Sequence, residues 1–215
     1  MANRRGSSRL LRLLLLTAIA AAGTGVGYFA LLPPVRSFSD RFTMSTAYMG
    51  LFFLAAALIV GPLNVLRRIP NPLSTYLRRD IGIIAGILAI AHTIIGLLVH
   101  LGDPVQYFFY RTPAGIDGVR FDAFGIANHV GLIATLIILI LLCISNNASL
   151  RRLGPEWWKR IQRWNYVAAI AIILHALLYQ VVEKQKVAFI ASVLIVAAGV
   201  MILQLFGFWR RREGL

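Results

Sequence analysis

The chain has 215 residues, of which 59% are hydrophobic and 14% are charged, and its mean hydropathy is +0.75. This composition excludes a soluble globular domain and indicates an integral membrane protein. The formal net charge of +14 does not indicate nucleic-acid binding, because the basic residues cluster between apolar runs, as the topology signals of membrane proteins do. The single cysteine, Cys143, excludes an intrachain disulfide and a thiolate iron–sulfur site.

Six apolar runs are long enough to cross the hydrocarbon core as helices, which takes about 20 residues. In chain order they are Leu11–Leu32, Ala47–Leu63, Ile81–Leu101, Ile126–Ser145, Trp164–Val182 and Val187–Phe208. The first run follows a group of arginines, as in a signal peptide, but its length and the lack of a small-x-small cleavage site favour a retained span. The sequence therefore predicts an all-α integral membrane protein, a six-span transmembrane helical bundle.

The basic residues predict the orientation of these spans. Sixteen of the 22 Lys and Arg residues lie in the N-terminal segment, the second and fourth connections and the C-terminal tail, and the other three connections share the remainder. The positive-inside rule then places both termini in the cytoplasm and makes the chain a multi-pass protein of the cell (inner) membrane.

The third connection, GDPVQYFFYRTPAGIDGVRFDAFG (102–125), is the longest and is predicted to lie outside the cell. Its YFFY cluster is typical of an interfacial aromatic belt. A docking site for a partner or a substrate is the alternative interpretation. The other connections are short.

Two histidines lie inside apolar runs, where a polar ring is costly and usually has a task. His92 lies twelve residues after Asp80 and His175 lies twelve residues after Arg163, each counted from the cytoplasmic end of its span. At about 1.5 Å per residue, both rings lie about 18 Å from that boundary, slightly beyond the midplane of a core about 30 Å thick. Two neutral imidazoles at one depth on parallel helices can coordinate an iron from opposite faces of a porphyrin. The pair therefore predicts a heme site, although either ring alone could be a hydrogen-bonded packing residue.

The helix faces that carry these two histidines hold mostly small side chains, which leave room for a flat macrocycle but also serve ordinary close helix packing. They are Ala85, Ala89 and Gly96 beside His92, and Ala168, Ala171 and Tyr179 beside His175.

The other two histidines are expected near the outer surface. His100 lies eight residues beyond His92, about 12 Å further out, so the two cannot share one iron. His129 begins the fourth span. Both are interpreted as interfacial histidines; a contact to a heme propionate, a proton relay or an outer metal site are the alternatives.

Two segments, LRRDIGIIAGILAIAH (77–92) and SLRRLGPEWWKRIQRWNYVAAIAIILHALLYQ (149–180), resemble the ferric reductase-like transmembrane domain family, over roughly residues 45 to 182. They are also similar to the heme-binding membrane subunits of bacterial methionine sulfoxide reductase systems. The family implies a helical bundle that carries b-type heme and passes electrons across the membrane, with axial ligands that match His92 and His175. The resemblance divides the chain into a first segment with one span and an external loop (1–43), a heme-binding core of spans two to five (44–183), and a sixth span with a basic tail (184–215).

The sequence departs from the full reductases of this type on the cytoplasmic side. Those proteins carry a second histidine on the fifth span, at the position of Gln162, and the matching end of span three offers Arg78 and Arg79. A glutamine amide is a poor iron ligand, and a protonated arginine has no lone pair to donate. We therefore expect one heme, and an inner heme only if Gln162, Arg78 or a partner chain supplies an unusual ligand. The flavin and nicotinamide domain of the larger reductases is not expected, because the sequence stops soon after span six.

The first functional hypothesis is a b-type heme membrane protein that acts as the transmembrane electron-transfer subunit of an oxidoreductase and is not a complete enzyme alone. Its expected partners are membrane lipid and a protein redox partner or larger membrane complex, with quinone or flavin reaching it through a partner. The alternative is a structural or assembly subunit of a larger membrane complex on the same scaffold, with heme retained or lost. A small transporter is disfavoured, because buried carboxylates and broken helices are missing from the spans.

Overall fold

The computed structural model describes residues 2–31, 37–69, 75–99, 102–181 and 187–212. The helices in these ranges are α1 (Ala2–Val26, continued by a π-helical turn, Gly27–Leu31), α2 (Phe38–Leu66), α3 (Thr75–Gly96), α4 (Ala123–Ile144), α5 (Asn147–Gln162), α6 (Trp164–Tyr179) and α7 (Val187–Arg212). Six helical stretches of this part of the chain are long and apolar enough to cross a membrane, with α5 and α6 counted as one. The predicted six-span helical bundle is therefore confirmed.

Helix α2 begins well before its apolar run. The Ser37 Oγ accepts a hydrogen bond from the Asp40 backbone N–H at 3.2 Å, which caps the helix and allows a polar first turn. Further along, α2 packs its apolar residues against α3, and this contact forms the hydrophobic core of the bundle. The core residues on these two helices are Phe53, Leu54, Ala57, Leu58, Ile81, Ile84 and Ala85.

A proline inside α2 determines how α7 packs. Pro62 has no N–H, so the carbonyl of Leu58, four residues earlier, loses its partner within the helix. The Gln204 Nε2 donates to that carbonyl oxygen at 2.8 Å. Gly207, also on α7, lies so close that an added Cβ would be 3.0 Å from the Pro62 Cα. The missing backbone bond of one span is thus replaced by a side chain of another.

The alternating helices give the bundle two ends. The hairpin end contains the starts of α2, α4 and α7 and the segment 102–122; the basic end contains the starts of α3 and α6, the ends of α4 and α7, and all of α5. At the basic end Asp80 is completely buried and accepts hydrogen bonds from the Arg9 Nε at 3.2 Å and the Arg12 Nε at 2.8 Å. This ion cluster joins α1 to α3.

The long connection at the hairpin end contains secondary structure that the sequence analysis did not predict. A 3₁₀ turn (Pro104–Tyr107) leads into an antiparallel hairpin of β1 (Phe109–Thr112) and β2 (Gly115–Val119), with a bulge opposite Tyr110 and Arg111. The strands are mostly exposed, so they lack the alternation of apolar and polar residues that identifies a half-buried strand.

The fourth connection of the sequence analysis forms α5. Asn146 caps it by accepting from the Ser149 backbone N–H at 2.8 Å. The helix is kinked at Gly154, which has φ 74° and ψ 159° and precedes Pro155. A residue before proline is kept out of the α region, and the positive φ favours glycine. Trp158 fixes the second half by donating from Nε1 to the Ile144 carbonyl oxygen at 3.0 Å.

Candidate functional site

The structure brings His92 and His175 together. They lie on α3 and α6, each four residues before the end of its helix at the hairpin end. Their ring centroids are 6.1 Å apart and the ring planes are inclined by 73°. Neither ring is exposed at the bundle surface. Two residues separated by 83 positions in the sequence thus form one pair of imidazoles inside the bundle.

Each ring of the pair is held by the backbone of a neighbouring helix. The Nδ1 of His92 lies 3.0 Å from the Thr43 carbonyl oxygen on α2, and the Nδ1 of His175 lies 2.8 Å from the Ala127 carbonyl oxygen on α4. A carbonyl oxygen only accepts, so each Nδ1 carries the proton and donates. In a neutral imidazole the Nε2 atom is then unprotonated and carries the lone pair that can bind a metal, an arrangement typical of ligating histidines.

A glycine permits the close approach of α4 to the second ring. A Cβ added to Gly131 would lie 2.7 Å from the His175 Nδ1 and 2.9 Å from its Cε1. Real side chains do not approach that closely, so any larger residue here would displace the ring. Gly131 is a site residue that the sequence analysis missed, since a glycine within an apolar span has several ordinary explanations.

A cavity of about 730 Å³ lies beside the pair and extends towards the basic end. Cofactor pockets typically measure roughly 300–1,000 Å³ and have mostly apolar walls. The three small residues predicted beside His92, which are Ala85, Ala89 and Gly96, all line the cavity. Of the residues predicted beside His175, Tyr179 lines it and the two alanines do not. Ala168 is completely buried in helix packing instead. Ordinary packing, the alternative interpretation, thus accounts for part of the small-residue pattern.

Tyr107 closes the cavity at the hairpin end. Its side chain is 1% exposed, lines the cavity and donates from its hydroxyl to the Gly96 carbonyl oxygen at 2.9 Å. Its ring also packs against Phe124 on α4, with centroids 5.4 Å apart. The YFFY cluster therefore contributes at least one residue to the interior, in addition to exposed aromatic surface such as Tyr110.

The residues present fit a heme between the two histidines. Imidazole nitrogens bind metal ions at about 2 Å, so two ligands on opposite sides of one ion have ring centres roughly 6 Å apart. The observed separation of 6.1 Å, the two unprotonated Nε2 atoms and the apolar cavity all agree with such a group. In the described part of the chain, no group of three or more His, Cys, Asp or Glu side chains could hold a metal ion.

The secondary candidates lie apart from this pair. His129 is on α4 near the hairpin end, where its Nδ1 donates to the Gly125 carbonyl oxygen at 2.7 Å and its ring contacts Phe108; it does not line the cavity. His100 lies outside the described residues. Gln162 and Arg78 do line the cavity, at the basic end.

Both residues contact other side chains at the basic end. The Gln162 Nε2 donates to the Ser145 Oγ at 3.3 Å, and the Arg78 guanidinium lies 5.9 Å from the centroid of the Tyr166 ring. The described residues at the basic end include no histidine. The structure thus offers no imidazole there for a second heme.

Residues 43–173 match the family described as ferric reductase like transmembrane component. The matched segment contains α3, α4, α5 and most of α2 and α6, including His92, and ends two residues before His175. No curated protein matches the chain. The narrower resemblance to the membrane subunits of methionine sulfoxide reductase systems therefore stays a prediction.

Proposed function

The chain belongs to the ferric reductase-like transmembrane family, and we propose from this premise that it is a membrane electron-transfer component holding one b-type heme between His92 and His175. The observation that carries the proposal is the paired anchoring of the two rings by the carbonyl oxygens of Thr43 and Ala127. This anchoring fixes both tautomers and presents two lone pairs in one buried place. A packing histidine needs a hydrogen bond, but it does not need a second imidazole about 6 Å away.

The chain's own residues supply position and environment. A bound heme would provide a one-electron redox centre. His92 and His175 would both be used in holding the iron, so the bound group would supply electron transfer and not direct reaction with oxygen or a substrate. The walls around the rings include small residues such as Ala89 and Gly96, and Tyr107 lies at the end nearest the hairpin. The carbonyl oxygens of Thr43 and Ala127 orient the two rings, so these residues would hold the group in a fixed position.

We place one heme and not two in the chain, because the basic end offers Gln162 and arginines where an inner ligand would be needed. Electrons entering from that end then require another carrier. A quinol, or a flavin held by a partner protein, fits this need. The chain is accordingly proposed to work with a redox partner or within a larger membrane complex, and to be one part of an oxidoreductase.

The heme proposal is tested by a pyridine hemochrome assay on the purified chain. We expect one heme per chain for the wild type, and loss of nearly all heme for His92→Ala and for His175→Ala, since each removes one of two iron bonds. His129→Ala is the matched control and should retain the wild-type spectrum. A heme-free wild type that co-purifies in a stoichiometric complex would instead favour a structural or assembly role.

The basic end is proposed to face the cytoplasm of a cell-membrane protein, following the positive-inside rule. In a Cys143→Ser background, an impermeant thiol reagent added to intact cells should label Asp117→Cys in the hairpin and not Ala148→Cys at the start of α5. Both positions are exposed, so access alone does not separate them. Labelling of position 148 only would reverse the orientation.

A further inference from the structure

The cavity changes character between its two ends. At the basic end it is lined by five cationic side chains, Arg78, Arg79, Lys159, Arg163 and Arg211. We call this part the basic chamber. Among the described lining residues the single carboxylate is Asp40, on the first turn of α2 at the opposite end. The chamber therefore concentrates positive charge beside apolar walls that include Leu142 and Trp158.

Arg79 is the buried member of this group. It is 7% exposed, and its Nη1 donates to the Asn147 Oδ1 at 2.8 Å. Its Nε and Nη2 atoms are buried and have no hydrogen-bond partner among the residues that the structure describes. These two atoms form the edge of the guanidinium that binds both oxygens of a carboxylate or phosphate side by side. A buried donor without an acceptor is costly, and more so when it is charged.

The neighbouring carboxylate cannot supply the acceptor. Each oxygen of Asp80 already accepts from the Nε and Nη2 of one arginine, Oδ1 from Arg9 and Oδ2 from Arg12. Arg79 is thus a third guanidinium next to a carboxylate whose two oxygens are already occupied. Arg9 and Arg12 use their Nε and Nη2 atoms to bind Asp80. In Arg79 the same two atoms are unsatisfied. No acceptor for that edge therefore lies among the described residues.

We propose that the basic chamber binds the phosphate group of an anionic amphiphile, with Arg79 as the buried anchor. The phosphate would satisfy the Nε and Nη2 donors, the surrounding cations would compensate its charge, and the apolar walls would take the attached hydrocarbon. An anionic phospholipid of the bilayer supplies this chemistry, and so does a soluble phosphate. The proposal does not depend on heme.

The test is a lipid titration of the full chain in non-ionic detergent, followed by native mass spectrometry. Phosphatidylglycerol should bind more tightly than phosphatidylcholine. Arg79→Gln should weaken the tightest phosphatidylglycerol site by about tenfold or more, because it removes a charge-assisted bidentate contact. Arg151→Gln is the matched control, since Arg151 is an exposed arginine of α5 that does not line the chamber; its binding should stay near the wild-type value.

Two further variants keep the test decisive if Arg79→Gln does not fold. Arg79→Lys keeps a positive charge but lacks the planar edge, and should still weaken binding. Asn147→Ala removes the partner of Nη1 and leaves the free edge intact, so it should bind like the wild type. His92→Ala should also bind normally, which separates this site from the heme proposal.

Competition identifies the source of the phosphate. If inorganic phosphate displaces phosphatidylglycerol, the chamber accepts soluble phosphate as well; if it does not, the site is a lipid site. Equal binding of the two lipids, or wild-type binding by both Arg79 variants, would overturn the proposal.

Discussion

The two ends of the central cavity solve the problem of buried polar groups in opposite ways. At the hairpin end, each histidine of the pair satisfies its donor nitrogen on the backbone of another helix and keeps its acceptor nitrogen available. At the basic end, Arg79 satisfies one donor atom within the chain and leaves two buried without a partner. The first end satisfies its buried donors inside the chain, whereas the second lacks an acceptor that the described residues do not provide.

The hairpin end depends on the position of neutral imidazoles, and the basic end depends on the balance of charge. Imidazoles that are to bind a metal must be neutral and held in place, and carbonyl oxygens from rigid helices provide this without adding charge. Guanidinium groups stay charged, and a cluster of them in an apolar place requires counter-charge. We therefore expect the histidine pair at the hairpin end to be disturbed by small changes in side-chain volume. We expect the stability of the basic end to depend on the charge of the surrounding lipid.

The largest expected effect comes from removing the buried carboxylate of Asp80 at the basic end. Asp80→Asn would leave Arg9, Arg12 and Arg79 without a counter-charge and should lower the free energy of unfolding by about 3 kcal/mol or more. Thermal unfolding in neutral detergent measures this loss. Asp117→Asn, in the exposed hairpin, is the control and should have little effect.

The same variant sharpens the contrast when the lipid is changed. Anionic lipid should restore part of the lost stability of Asp80→Asn, because it supplies the missing negative charge, while zwitterionic lipid should not. Equal behaviour in both lipids would show that the basic end satisfies its charges without an external anion.

The next largest effect is expected from shape at the hairpin end. Gly131→Ala adds a Cβ that would lie 2.7 Å from the His175 Nδ1, and overpacking of this kind costs about 1–3 kcal/mol. The heme content after a chelating or heme-competing wash should fall below that of the wild type. Gly199→Ala on α7, where the added Cβ has nothing within 4 Å, is the control and should be neutral. A Gly131→Ala variant with full heme retention would mean that the ring has room to move.

The smallest effect concerns a polar contact at the basic end that the chain does satisfy. Gln204→Leu removes the donor to the Leu58 carbonyl oxygen and should cost about 1 kcal/mol. In a Pro62→Ala background the backbone N–H of residue 62 can donate to that carbonyl, so Gln204→Leu should lower the free energy of unfolding by less. A double-mutant cycle on melting measures the difference; identical costs in the two backgrounds would contradict this explanation of the contact.

Much of the bundle could be predicted from the sequence because its strongest signals are long apolar runs. The six spans, the membrane class and the family follow from those runs and from the two quoted segments. The close approach of His92 and His175 also follows from counting residues along two parallel helices. Their role as heme ligands remains a prediction, as do the heme count and the direction of the spans.

Other features could not be predicted because they depend on tertiary contacts. The anchors of the histidine pair are the carbonyl oxygens of Thr43 and Ala127, and every residue has a carbonyl. The hairpin has exposed strands with glycines and no alternating pattern. Helix α5 is interpreted in the sequence as a connection because it is a basic, polar stretch between two apolar runs. The unsatisfied edge of Arg79 is visible only once Asp80 is seen to be fully occupied by other arginines.

The anchoring of the histidine pair has a consequence for biosynthesis. Thr43, His92 and Ala127 lie on α2, α3 and α4, and all of them leave the ribosome before His175 on α6. A nascent chain that has inserted only four spans holds one anchored ring with no partner. The two rings can meet only after the fifth span has entered the bilayer. Under the proposed function, capture of heme would therefore follow membrane insertion and would mark a chain whose core has been inserted completely.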